Sequence, residues 1–150
     1  MVMIKKILIG LAVIFVILQF FRIDMENPAS DPSSDFIVQE KVPEDIARLL
    51  TSACYDCHSH KTVYPWYAHV APVSWMVGHD IEEGREHLNL SKWNDYSKDK
   101  RKHLLDEMYE EVEEGEMPLS GYKLTHSDAD LNQEQTELLV HWLEEREESY

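Results

Sequence analysis

The chain has 150 residues, 29 of them acidic against 14 basic, for a net charge of −15 near neutral pH. So acidic a surface argues against nucleic acid and anionic lipid as partners; it suits simple solubility or a protein partner with a basic docking patch. Beyond an apolar N-terminal stretch, one domain's worth of chain remains, too little for two cores, with no internal repeat or long low-complexity tract.

Residues 1–23 place Lys5 and Lys6 before an unbroken apolar run from Ile7 to Leu18, which Phe20 and Phe21 extend and Arg22 closes. A basic flank ahead of an apolar run is a membrane-targeting pattern, and Gln19-Phe20-Phe21-Arg22 offers no Ala-x-Ala cleavage site, so an uncleaved anchor is favoured. A helix from Ile7 to Phe21 falls short of a hydrocarbon core of about 30 Å, a gap that snorkelling Lys and Arg can cover. The lysines put the N-terminus in the cytoplasm. The expectation is a single-pass protein of the bacterial inner membrane with its domain in the periplasm.

Residues 24–43 carry Asn27-Pro28, Asp31-Pro32-Ser33-Ser34 and Pro43, the composition of a flexible linker. Within it Phe36, Ile37 and Val38 form a short apolar run able to dock on a domain. Residues 44–150 are the expected domain, and four helices can be read in it from period and caps. The first starts at Pro43-Glu44-Asp45 and recurs through Ile46, Leu49, Leu50 and Ala53. A second covers Val73 to His87. Ser97 caps a third, whose stripe of Leu104, Leu105, Met108, Tyr109 and Val112 ends at Gly115. Asn132 caps the last, with Leu138, Leu139, Trp142 and Leu143 on one face. No alternating strand pattern appears, so the class is all-α, about four helices.

The first helix runs into Cys54-Tyr55-Asp56-Cys57-His58, which contains the only two cysteines of the chain. Cys-x-x-Cys-His is the attachment signature of c-type haem: each thiol adds to a porphyrin vinyl group and the imidazole ligates iron. A thioredoxin-like dithiol expects a βαβ setting and a zinc site a second pair of ligands, and neither is visible. A disulfide across so short a span closes a tiny loop and stabilises little. A domain this small struggles to bury enough apolar surface, and haem supplies the missing core. Tyr64, Trp66, Tyr67, Trp75, Trp93, Tyr122 and Trp142 are packing residues with the chemistry to hold propionates as well.

For the second axial position, Met117 is the leading candidate, on a loop after the Gly115 break and stiffened by Pro118. His69, His79 and His126 compete. His60, His87, His103 and His141 read as surface or helix-flank residues. The second nitrogen of His58 needs a carbonyl, for which Pro65 and Pro72 are candidates, and Arg85 could pair with a propionate.

Cys-Tyr-Asp-Cys-His-Ser-His at 54–60, Tyr-Pro-Trp-Tyr at 64–67, Ala-Pro-Val-Ser-Trp at 71–75, His79 with Glu83-Gly84-Arg85, Leu88-Asn89-Leu90-Ser91-x-Trp93, and Met117-Pro118 with Tyr122 and His126 stand in order along the chain. Together they resemble the small membrane-anchored haem-binding domain family of bacterial cytochromes c, over about residues 44–145. More loosely the chain is similar to class I cytochromes c. The resemblance implies a cytochrome c-like fold around one covalent haem, with His58 proximal and Met117 distal. The function expected is one-electron transfer. The alternatives are a haem-based redox or gas sensor, or a peroxidase-like enzyme with an open sixth position.

Overall fold

The computed structural model describes residues 2–150, and among them every regular element is a helix. In chain order these are α1 (Val2–Leu18), α2 (Phe36–Gln39), α3 (Glu44–Ala53), α4 (Tyr55–His58), α5 (Val73–His87), α6 (Lys98–Glu113), α7 (Ser120–Lys123) and α8 (Gln133–Glu148), with short 3-10 turns between them. The expected all-α class holds. The four helices read from the sequence are α3, α5, α6 and α8, and the four-residue helices α2, α4 and α7 are additional.

Their ends follow local chemistry. The hydroxyl of Ser97 accepts from the Lys100 amide at 3.3 Å to start α6, and Gly115, at φ +77°, turns the chain out of it. At α8 the Asn132 side chain accepts from the Gln135 amide at 3.0 Å while the Gln135 side chain accepts from the Asn132 amide at 2.9 Å, a reciprocal capping box.

The expected membrane helix is overturned. Among the described residues no helix is long and apolar enough to cross a membrane. α1 has 17 residues, about 25 Å at 1.5 Å per residue, against the roughly 30 Å of a hydrocarbon core. It stops at Leu18 because Gln19 turns toward the domain. The Gln19 side chain donates to the carbonyl of Ala71 at 3.0 Å and accepts from the Ala71 amide at 3.0 Å. Phe20 and Phe21, counted toward the span, lie in the turn that follows, and the Phe21 carbonyl accepts from the Trp75 indole at 2.7 Å. The single-pass placement in the bacterial inner membrane, with the domain in the periplasm, loses its basis with it.

Residues 24–43, which read as a flexible linker, hold α2 and two buried carboxylates. Asp35 accepts from the Tyr55 hydroxyl at 2.8 Å and the Lys61 ammonium at 2.6 Å. Glu40 accepts from the Trp93 indole at 2.5 Å, from Arg146 and from the Tyr150 hydroxyl. Between them Phe36 is fully buried, edge-on to Trp93 at 4.7 Å and to Trp142 at 6.0 Å. This segment therefore closes one end of the core and ties the chain's C-terminal residue to the rest.

The core continues between α6 and α8. Leu104, Leu105, Met108 and Val112 face Leu139 and Leu143, with Ile46, Leu49 and Leu50 of α3 completing it. Leu138, expected on the buried face, is 43% exposed.

Replacing Glu40 by Ala strands three donors around a buried site. The expected loss is about 3 kcal/mol of stability by urea denaturation, the scale for removing one partner of a buried charged pair. Val38→Ala, at a position 56% exposed, should stay within about 0.5 kcal/mol of the parent.

Candidate functional site

The attachment motif sits at a break. α3 ends at Ala53, Cys54 leaves helical geometry at φ −122°, ψ −37°, and α4 resumes at Tyr55. The amide of His58 donates to the Cys54 carbonyl at 2.9 Å, closing one turn around the motif. Cys54 and Cys57 are both free thiols and line one cavity.

Burial pushes the Cys54 thiol up to about 12, with the neighbouring Cys57 adding to it. Burial likewise pushes Cys57 up to about 11, with Asp56 and Asp80 contributing. These thiols stay protonated at neutral pH. A reactive dithiol needs the opposite shift, so the environment does not suit an exchange catalyst.

His58 is held from α5. Its Nδ1 lies 2.9 Å from the Gly84 carbonyl and 3.3 Å from that of Leu88. Both partners are acceptors, so Nδ1 carries the proton and Nε2 keeps its lone pair for a ligand. Burial lowers the pKa of this imidazole despite the two carbonyls, which keeps it neutral. Pro65 and Pro72, the acceptors suggested by the sequence, do not serve. The reason is the close approach of α4 and α5: a Cβ on Gly84 would stand 3.0 Å from the Cys57 carbonyl oxygen and 3.3 Å from the Cys57 Cβ.

The cavity is about 530 Å³, within the roughly 300–1,000 Å³ of cofactor pockets. Cys54, Cys57 and His58 line one side. Met117 joins the same lining, set there by Gly115 and by its own amide, which donates to the Glu111 carbonyl at 3.0 Å. Leu50, Leu104, Leu139 and Leu143 make up much of the remaining wall. Among the described residues no three His, Cys, Asp or Glu side chains cluster to hold a bare metal ion. Two thiols, one imidazole with a free nitrogen and one thioether spread around an apolar cavity instead match the donor set that a flat metalloporphyrin takes.

Apart from His87, the other histidines stand away from the cavity. His69 and His79 are exposed and outside the lining, His79 lying 3.5 Å from Glu83. The ring of His126 stacks on Tyr122, with centroids 4.0 Å apart, and its Nδ1 lies 3.1 Å from the Thr125 hydroxyl. His60, expected at the surface, is buried with Nε2 2.9 Å from the Asn89 amide nitrogen. His87 is at the cavity rim. Arg85 lies outside the cavity lining and pairs with neither Glu82 nor Glu86; it donates to the Ser59 carbonyl at 2.8 Å, Thr62 at 2.9 Å and Asn27 at 2.8 Å. Of the seven aromatic residues gathered from the sequence, only Tyr122 lines the cavity, whose rim carries Asp80, Glu83, Glu107, Glu110 and Glu111 and no Lys or Arg.

Sequence reasoning missed Gly84 as a spacer and Asp56 as an anchor. A glycine inside the helical pattern of α5, which holds Gly78 and Gly84, was the available signal, since such a residue costs helix stability and is kept for packing. Gly84→Ala is expected to destabilise the domain by about 1–3 kcal/mol in thermal unfolding, the cost of forcing a methyl into a filled contact.

Neither a curated protein nor a solved structure matches the chain. A family described as the haem-binding domain matches residues 13–145, most of its length. With two thiols, a carbonyl-held imidazole and a thioether around one apolar cavity, the chain belongs to the haem-binding domain family.

Proposed function

We propose that this protein is a monohaem c-type haem protein that carries one electron. Cys54 and Cys57 would hold the group through thioethers, and His58 and Met117 would be the residues that ligate its iron. The observation that carries this reading is the shared cavity, in which the motif residues and Met117 line the same space. Residues 44–150 contain all four, so the haem-binding domain is assigned there, braced by Asp35 and Glu40 from the segment before it.

Bound in this way, haem supplies a reversible one-electron iron couple and no bond chemistry of its own. The protein's part is to hold and insulate. Donation from Nδ1 of His58 to Gly84 fixes the ring and raises the basicity of Nε2. Met117 would supply the second iron ligand, which would favour electron transfer over substrate binding and raise the reduction potential relative to a second histidine. Leu50, Leu104, Leu139 and Leu143 would give the group an apolar wall. An acidic chain with an acidic cavity rim suits a redox partner presenting a basic face.

Three measurements test this on protein made in a host with working haem-attachment machinery. The parent chain should stain for haem after denaturing electrophoresis, and Cys54→Ala with Cys57→Ala should not; equal staining of both overturns covalent attachment. The reduced parent should be low-spin and slow to take up carbon monoxide. Met117→Ala should bind carbon monoxide readily and have a lower reduction potential; an unchanged spectrum and potential would place the ligand elsewhere.

A further inference from the structure

The segment that brings Met117 to the cavity has little apolar anchorage. Leu119 is 40% exposed and Leu124 87%, and Gly115 and Gly121 have open space around them. Only Pro118 is buried between Gly115 and His126. Polar contacts must therefore orient this loop.

The strongest of them leads back to the attachment motif. The Tyr122 hydroxyl donates to Asp56 Oδ2 at 2.8 Å, and the Ser52 carbonyl lies farther off at 3.3 Å. Asp56 is itself fixed, since its Oδ1 accepts from the Val63 amide at 2.8 Å and its carbonyl accepts from the Thr62 hydroxyl at 2.6 Å. The bond thus joins a loop to a rigid, ionisable acceptor inside Cys-x-x-Cys-His. On its other side the Tyr122 ring is stacked on His126, and Tyr67 reaches Thr125 at 3.0 Å, which steadies the far end of the same loop.

We propose that Tyr122, latched to Asp56, is the positioning residue that keeps Met117 at the cavity as an axial ligand. The inference rests on the axial assignment made above and adds what enforces it. Met117 and Tyr122 are five residues apart, with Tyr122 inside α7, so fixing the hydroxyl fixes the thioether within a short arc. Without the latch, the bond from sulfur to iron alone must order the loop, and the ligated fraction falls. Burial, then the bond to Asp56, raise the pKa of the Tyr122 hydroxyl, so it stays a donor across the neutral range.

The test uses the full chain with haem attached and follows carbon monoxide uptake by the ferrous form, the ferric absorption arising from sulfur ligation, and helical circular dichroism. Tyr122→Phe keeps the ring and removes only the hydroxyl. Expected are unchanged haem attachment and helicity, loss of much of the sulfur-ligation absorption, and uptake roughly tenfold faster or more, the factor tied to one hydrogen bond to a charged group. Asp56→Asn, which weakens the bond from the acceptor side, should shift uptake the same way by less, and it decides the matter should Tyr122→Phe fail to hold haem. Leu124→Ala, on the same loop but facing solvent, should match the parent. A sealed parent with sealed Tyr122→Phe and Asp56→Asn variants overturns the latch alone, and equal shifts in Leu124→Ala overturn it too. A parent that takes up carbon monoxide freely overturns the axial assignment, and the latch with it.

Discussion

The contact between α4 and α5 at Gly84 sets the terms for the rest of the structure. It brings the backbone of one helix within 3.0 Å of where a side chain on the other would begin, and this puts the Gly84 carbonyl, which already accepts from the Leu88 amide at 3.0 Å, within reach of His58. Helical carbonyls are usually occupied by an amide four residues on. Here the last turn of α5 lends its end groups to an imidazole as well, so the close approach at one glycine sets the tautomer of His58 and leaves its other nitrogen free.

The two residues between the cysteines do structural work that the motif's name leaves blank. Tyr55 points one way, to buried Asp35 in the segment before the domain; Asp56 points the other, to Tyr122 in the loop after α6. The five-residue motif is thus tied to chain on either side of it in sequence. Glu40 plays the matching part at the far end of the core, where it gathers Trp93, Arg146 and Tyr150. Such arrangements hold because each buried carboxylate has several donors; an unpaired one would cost several kcal/mol.

Helix class and placement were legible because the signals were local. Pro43, Ser97, Gly115 and Asn132 mark ends, and the leucine period marks faces, so α3, α5, α6 and α8 could be drawn from the sequence nearly to their limits. The grouping of Cys54, Cys57 and His58 was legible for the same reason: three residue types at fixed spacing stand out locally, and they line one cavity. What failed was long-range. Residues 24–43 have the composition of a linker, and nothing local says that Asp35 will meet Tyr55 or Glu40 will meet Arg146, more than a hundred residues away. Nor does an apolar run reveal where its helix stops, because Leu18 is the end only through the pairing of Gln19 with Ala71. Arg85 and His60 were misplaced likewise: a side chain's partner depends on which helix crosses it.

The raised thiols have a consequence for the protein before it receives its cofactor. Closing a bridge between two sulfurs requires a thiolate as attacking group, and at neutral pH an environment that holds both near 11 to 12 leaves almost none. The folded chain is thereby slow to seal itself for as long as the apolar pocket around the pair persists.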